Sequence, residues 1–277
     1  MTFFLRILHT IIANLAMLAF TSAAFAEELI IPGSGNPEYV LTQLAKAFNQ
    51  QQSEHIVTVP SSTGTAGALR DVEAGTASMG RVGRPLKENE RNKGISYVAL
   101  GRDPVIFAAG AGVTVHSITS TQAVDAFSGK LTDWSELGGN PGPIRAVGRE
   151  TTDASRQALS RLVKPFENIV FGENVKIVHL DPELITLLDR YPTSLGFLNK
   201  SALGACNSKI VYLAFDGVEP TSENVEKGRY PLWLEIGLIY KPDALTPVGK
   251  TFLEFVRSPA GSEILREHGV LPAATEN

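Results

Sequence analysis

Short apolar runs alternate with helical patterns along most of this chain, a rhythm that predicts an α/β fold. The runs rich in Val, Ile and Leu predict β-strands at residues 28–32, 56–59, 77–82, 97–100, 105–109, 144–147, 194–198, 209–213 and 232–240. Apolar residues at helical spacing predict helices between them. We expect Asn36 to cap the first helix, Gly129 to end a later one, and Thr246 and Ser258 to start the last two.

The N-terminal segment differs from the rest of the chain. A single Arg6 precedes an apolar run over residues 11–20, and the segment closes on Ala24-Phe25-Ala26. This pattern predicts a signal peptide, residues 1–26, that is cleaved after Ala26. A membrane anchor is the alternative, although the run is short and no basic stop-transfer residues follow it. We therefore expect a soluble protein exported to the periplasm.

Composition narrows the possible functions. The formal net charge is −4, and −5 once Arg6 leaves with the signal peptide, which argues against a nucleic-acid or membrane surface. Cys206 is the only cysteine, so no intrachain disulfide can form. The histidines lack metal-ligand spacing, and no G-x-S-x-G or S-x-x-K motif is present. We expect no cofactor, no metal and no enzymatic activity, and we expect a monomer.

Three predicted strand-to-helix junctions, at residues 33–37, 61–67 and 148–156, are rich in Gly, Ser, Thr or Asn. The first N–H groups of a helix have no internal partners and lie at the positive end of its dipole, so such junctions can surround an anion. Arg149 adds a fork of charged donors at the third junction. The alternatives are ordinary capping by Thr152, a flexible linker at 61–67, and a solvated charge pair formed by Arg81 and Arg84.

Several of these segments resemble the periplasmic phosphate-binding proteins of ABC transporters, and the resemblance covers nearly the whole chain after the signal peptide. Its most specific part is FSGKLTDWSELGG at 127–139. The other parts are VGRE at 147–150, the run from 75 to 86, YPL at 230–232 and FLEFVRSPAG at 252–261.

The resemblance implies a two-lobed, type 2 periplasmic-binding-protein (Venus-flytrap) fold that closes on an oxyanion, most often phosphate, and delivers it to a membrane permease. Lobe 1 would contain residues 27–111 and 206–277, and lobe 2 residues 112–205, with crossing segments near 102–112 and 199–206. The implied ligand-binding residues are Ser34, Gly35, Asn36, Ser62, Thr63, Gly64, Thr65, Arg84, Arg149, Thr152, Asp153, Ala154 and Ser155.

Two positions depart from the family pattern. Asp153 stands where the family typically has a hydroxyl that donates to phosphate, and Gly83 stands where members have an aspartate that accepts the proton of the ligand. A carboxylate about 4 Å from a phosphate charge is repelled by ~4 kcal/mol at an effective dielectric near 20. Asp153 either takes over the acceptor role, or caps the helix or pairs with Arg84 or Arg156. A sensor or interaction protein that has lost tight phosphate binding is therefore the alternative function.

Overall fold

The computed structural model describes residues 27–205 and 209–274, so the predicted signal peptide and Cys206 lie outside the described residues. The strands are β1 Glu27–Ile30, β2 His55–Thr58, β3 Met79–Val82, β4 Ser96–Ala109, β5 Ser117–Ile118, β6 Arg145–Arg149, β7 Lys176–Val178, β8 Ser194–Asn199, β9 Val211–Phe215, β10 Trp233–Tyr240 and β11 Leu271–Pro272. The α-helices are α1 Glu38–Gln51, α2 Gly64–Ala74, α3 Glu88–Arg91, α4 Ser120–Ser128, α5 Ala154–Leu162, α6 Asp181–Arg190, α7 Ser222–Glu226, α8 Pro247–Arg257 and α9 Pro259–Glu267. Within the described ranges, no helix is long and apolar enough to cross a membrane.

The long strand β4 connects the two lobes. Its N-terminal part pairs antiparallel with β10, and its last five residues pair antiparallel with β8. The resulting strand order is β3-β10-β4-β8-β6-β7, with β9 and β11 also pairing with β4, and β1 and β2 form a separate parallel pair. The predicted two-lobed α/β fold is confirmed. The lobe boundaries at residues 111, 112, 205 and 206 stay predictions.

The prediction of separate strands at 97–100 and 105–109 was wrong, because β4 runs unbroken from Ser96 to Ala109. Pro104, which has no N–H donor, lies where β4 changes its partner from β10 to β8. The next donor, Val105 N–H, bonds to the carbonyl oxygen of Leu232 at 3.0 Å. Gly101 lets β11 approach, since a Cβ there would lie 2.4 Å from the carbonyl oxygen of Leu271. Glycine and proline thus serve strand pairing here and not a turn.

The predicted helix ends hold with one exception. Gly129 ends α4 in the left-handed conformation, and the hydroxyls of Thr246 and Ser258 cap α8 and α9. The exception is Asn36, which does not cap α1: the helix begins at Glu38 without a side-chain cap. The amide of Asn36 bonds across the two lobes instead.

An aromatic cluster supports the part of β4 that enters the second lobe. Phe107 on β4 packs against Phe127, Phe166, Phe197 and Phe215, with ring centroids 5.5 to 6.4 Å apart. All five rings are almost completely buried. Burial of each such ring contributes about 1.5–3 kcal/mol to folding stability. The cluster therefore holds β4 and β8 in place beside β6, the strand that ends at Arg149.

Candidate anion site between the lobes

The first two predicted junctions lie against each other. The N–H groups of Thr63 and Gly64 both donate to the carbonyl oxygen of Gly33, at 2.9 and 3.1 Å. The Ser62 hydroxyl donates to the same oxygen at 3.2 Å. The loop after β1 and the loop that starts α2 therefore form one surface of backbone and hydroxyl groups.

Arg81 on β3 holds these two loops in place. Its guanidinium donates to the backbone carbonyl oxygens of Ile31, Ser34 (2.8 Å) and Pro60 (2.6 Å), and it pairs with Glu38 at 3.0 Å. The side chain is completely buried, and burial lowers the pKa of Arg81 while Glu38 opposes that shift. Sequence reasoning treated Arg81 only as half of a charge pair with Arg84. The position of this arginine inside an otherwise apolar strand is the sequence signal that indicates a buried role.

The third junction meets the first through Asn36. The Asn36 Nδ2 group donates to Ser155 Oγ, in the first turn of α5, at 2.9 Å, and the Ser34 hydroxyl donates to Asn36 Oδ1 at 3.3 Å. Gly83 makes the approach possible, since a Cβ there would lie 3.0 Å from both Ala154 Cβ and Ser34 Oγ. The three junctions predicted separately along the sequence therefore come together between the lobes.

A buried polar chain extends from Asn36 towards the crossing strand. The Asn199 Nδ2 group donates to the carbonyl oxygen of Asn36 and to Asp103 Oδ2, each at 2.8 Å, and Asn36 Nδ2 lies 3.2 Å from Asn199 Oδ1. Asp103 also accepts from the Ser201 hydroxyl and backbone N–H. Complete burial raises the pKa of Asp103 to about 6, although these donors oppose the shift. Neither Asp103 nor Asn199 carried a sequence signal, because their meaning depends on β4 and β8 being neighbours.

Arg149 is buried and surrounded by acceptors. Its guanidinium pairs with Asp153 Oδ2 at 2.8 Å, pairs with Asp181, and donates to the carbonyl oxygen of His179 at 2.9 Å. Burial lowers the pKa of Arg149, but the charges of Asp181 and Asp153 outweigh it and raise the pKa. The Nε group of Arg149 and Asp181 Oδ2 are buried without a hydrogen-bond partner. Two carboxylates thus share one guanidinium.

Asp153 caps α5. Its Oδ1 atom accepts from the backbone N–H of Arg156 at 3.0 Å, and the carboxylate also accepts from the N–H of Ser155. Of the alternatives for Asp153, helix capping is confirmed, whereas its carboxylate pairs with Arg149 and not with the side chain of Arg84 or Arg156. The Arg156 guanidinium instead donates to the carbonyl oxygen of Arg149 at 2.6 Å and lies over the ring of Phe171.

The remaining predicted residues occupy different positions. Thr65 and Gly64 are half-buried at the start of α2, and Gly83 N–H lies 3.5 Å from Thr65 Oγ1. Thr63 and Thr152 are exposed. Arg84 does not join the junctions: its guanidinium forms a bidentate pair with Glu90, both contacts being 2.7 Å.

A groove of about 340 Å³ opens between the lobes beside the junctions. Its walls include Gly35, Glu38 and Ser62 from one lobe and Asp181 and Ile185 from the other. In the described ranges no group of three or more His, Cys, Asp or Glu side chains could hold a metal ion. What the site offers chemically is a set of hydroxyls, amides and two helix N-termini, those of α2 and α5, which suits recognition of an oxyanion.

Comparisons with known proteins identify the family and the fold of the chain. A sequence model described as the PBP superfamily domain matches residues 19–260. The phosphate-binding protein PstS of Bacillus subtilis is 26% identical over 256 residues, which cover 88% of this chain and 80% of that protein. PstS of Borreliella burgdorferi is 21% identical over 258 residues, covering 88% and 90%. A crystal structure from Clostridium perfringens, described as a phosphate ABC transporter substrate-binding protein with bound phosphate, superposes with a TM-score of 0.79 at 25% identity, covering 90% of this chain and 100% of that one.

Proposed function

The chain belongs to the family of the PBP superfamily domain, and on that premise we propose that it is an exported receptor that binds phosphate between its lobes and delivers it to the permease of an ABC transporter. The relatives named above are phosphate-binding proteins, and one was crystallised with phosphate. No covalent bond is made or broken in this role. The protein works by opening, enclosing the anion and releasing it.

The observation that carries the proposal is the meeting of three Gly, Ser, Thr and Asn junctions at Asn36 and Ser155. The Asn36 amide and the Ser155 hydroxyl are 2.9 Å apart and fully buried, although they belong to different lobes. An anion enclosed there has the N-termini of α2 and α5 close by, and these N–H groups are already oriented before the ligand arrives. Such preorganisation reduces the entropy that binding must overcome.

Binding and closure are coupled in this account. An oxyanion that contacts donors of both lobes stabilises the closed arrangement over an open one, because only the closed arrangement offers all the donors together. The proposed ligand donors are the hydroxyls of Ser34, Thr65 and Ser155 and the backbone N–H group of Ala154. The polar chain through Asn199 and Asp103 supports Asn36 from behind.

The location and partners follow from the same role. We place the mature chain in the periplasm as a monomer, after cleavage at Ala26, with a membrane permease as the partner that receives the ligand. A second candidate, a sensor on the same fold without tight phosphate binding, draws support from one observation: Arg149 is already paired with Asp153 and Asp181.

Isothermal titration calorimetry with phosphate, sulfate and acetate tests the proposal. We expect saturable binding of phosphate with one site per chain, and at least about tenfold weaker binding in Asn36→Ala, because the cross-lobe contact is lost. Asn140→Ala, an exposed amide in the second lobe, is the matched control and should bind as the wild type does. Absence of binding to phosphate in the folded wild-type protein refutes the receptor function.

A further inference from the structure

We propose that Asp153 is an internal counter-anion that sets the charge of the ligand: its carboxylate occupies Arg149 and the N–H of Arg156 in the first turn of α5 and leaves the N–H of Ala154 for the ligand, so the site prefers a singly charged tetrahedral oxyanion over a doubly charged one. The ligand class is therefore monobasic phosphate and similar monoanions. This inference rests on the proposed phosphate-binding function and names its selectivity.

The geometry of the carboxylate is the first support. One oxygen of Asp153 is 2.8 Å from the Arg149 guanidinium, and the other is 3.0 Å from the backbone N of Arg156. A guanidinium and the N–H groups of a helix start are the groups that hold an anion in protein sites. Here the side chain of the protein itself already occupies them, with the residue only 8% exposed.

The charge balance is the second support. Arg149 carries one positive charge, and Asp153 and Asp181 both pair with it, so the cluster has a net charge of −1 when both are ionised. The nearby charges of Arg156 and Glu150 have opposite signs and leave this sum unchanged: Arg156 donates to a backbone carbonyl, and Glu150 contacts His179 at 2.8 Å. On the other lobe Arg81 pairs with Glu38 and Arg84 with Glu90. A dianion entering this site is therefore repelled more strongly than a monoanion.

Protonation of Asp153 relieves that repulsion. Burial raises the pKa of Asp153 to about 6, Arg149 opposes the shift, and the charge of Asp181 reinforces it. The cluster then becomes neutral at acid pH, and the protonated carboxyl can donate a hydrogen bond. Affinity for oxyanions should consequently rise as the pH falls through the titration of Asp153.

Capping of α5 does not require the negative charge of Asp153, so a substitution can separate the two roles. Serine caps a helix about as well as aspartate, because its hydroxyl oxygen accepts the same backbone N–H. Asp153→Ser therefore preserves the start of α5 and removes only the carboxylate. Asp133, which caps the short helix Trp134–Leu137 and is half-buried, gives the matched control Asp133→Ser.

The experiment compares dissociation constants of phosphate, sulfate and hypophosphite at pH 5.5 and pH 8. Hypophosphite stays a monoanion and sulfate a dianion throughout this range, so they separate ligand charge from ligand titration. At pH 8 we expect Asp153→Ser to bind phosphate and sulfate at least about tenfold more tightly than the wild type, and to improve hypophosphite binding by only about the square root of that factor, because half the charge gives half the repulsion. The wild type should bind sulfate more tightly at pH 5.5 than at pH 8, and Asp153→Ser should not. Asp133→Ser should behave as the wild type.

The outcomes separate this inference from the proposed function. If the wild type binds phosphate and Asp153→Ser binds it equally or more weakly, the counter-anion role is wrong and the receptor function stands. If only Asp153→Ser binds phosphate, the counter-anion role is supported and the receptor function of the native chain is wrong. If neither binds phosphate at either pH, both are wrong. Thermal melts check that Asp153→Ser is folded. If Asp153→Ser does not fold, Asp153→Asn, which keeps the shape of the side chain, is used in its place.

Discussion

The Asn36 amide donates a hydrogen bond of 2.9 Å to the hydroxyl of Ser155, a residue 119 positions further along the chain. Both residues are buried, and they belong to the loop after β1 and to the first turn of α5. Because these elements lie in different lobes, this bond is a direct link between them. Its strength and its effect on ligand binding can be measured.

A double-mutant cycle of Asn36→Ala and Ser155→Ala should give a coupling free energy of about 0.5–3 kcal/mol, the range for residues in direct contact. Denaturant unfolding supplies the four stabilities. As a control, Ser155→Ala is combined with Thr221→Ala, whose hydroxyl caps α7, and these two effects should add within ~0.5 kcal/mol. Equal coupling in both cycles would show that Asn36 and Ser155 do not interact specifically.

Arg81→Met should destabilise the protein by about 3–5 kcal/mol, because it leaves the buried Ile31, Ser34 and Pro60 carbonyl oxygens and Glu38 without their donor. The matched change is Arg84→Met, which breaks a partly exposed pair with Glu90 and should cost only about 1–2 kcal/mol. Urea denaturation of the two variants checks the difference. Similar losses would mean that Arg81 is not the support of the two loops.

Gly83→Ala should weaken phosphate binding more than it weakens folding. The added Cβ would lie 3.0 Å from Ala154 Cβ and from Ser34 Oγ, so it should crowd the closed lobes. We expect an affinity loss of roughly tenfold, equivalent to about 1.4 kcal/mol, with partial restoration by the second change Ala154→Gly, because the contact with Ser34 Oγ remains. Calorimetry on the single and double variants measures this. No recovery of affinity in the double variant would show that crowding against Ala154 is not part of the cause.

Asp103 should contribute a pH dependence to folding stability. Its pKa is raised from 3.8 to about 6 in the folded protein, so the native state binds this proton more tightly than the unfolded chain. The free energy of unfolding that this proton contributes is fully present below the pKa of Asp103 in the unfolded chain. It is lost as the pH rises through the pKa of Asp103 in the folded protein, a change of up to ~3 kcal/mol. Asp103→Asn should remove that slope, as measured by urea unfolding between pH 4 and pH 7.

Asp133 provides a control of opposite sign. Hydrogen bonds from Ser135 and Gly142 lower the pKa of Asp133. The ionised carboxylate therefore stabilises the folded protein at pH values above the usual pKa of aspartate, and this stabilisation is lost as the pH falls. Asp133→Asn should therefore change stability at neutral pH and have a smaller effect in acid. A slope of the same sign for both variants would contradict the assignment for Asp103.

The sequence was sufficient for the fold class and for the three junctions. Each junction combines a β-prone run with small polar residues and a helical pattern, and these signals are local. The helix starts at Thr246 and Ser258 and the end at Gly129 were predictable for the same reason. The break predicted at Gly101-Arg102-Asp103-Pro104 failed, because pairing with β10, β8 and β11 outweighs the local preference of glycine and proline.

The support of the site could not be predicted from local patterns. Arg81, Asp103 and Asn199 acquire their roles only when β3, β4 and β8 bring distant loops together. Asn36 resembles an ordinary helix cap, and only the position of Ser155 shows that its amide bonds across the lobes. Asp153 and Arg149 are only four residues apart, so their ion pair is local in sequence. The second ion pair of Arg149, with Asp181, depends on the neighbouring strand β7 and the helix after it.

The most direct test of the account is the position of a bound anion. Arsenate has the shape and charge of phosphate, and its arsenic gives an anomalous X-ray signal, so crystals grown with arsenate reveal where it binds. We predict one strong anomalous peak per chain, enclosed between the lobes within hydrogen-bond distance of Ser34 and Ser155 and of the N-termini of α2 and α5. A peak elsewhere on the protein, or closed lobes without a peak at this place, would contradict the proposal that the three junctions bind the anion.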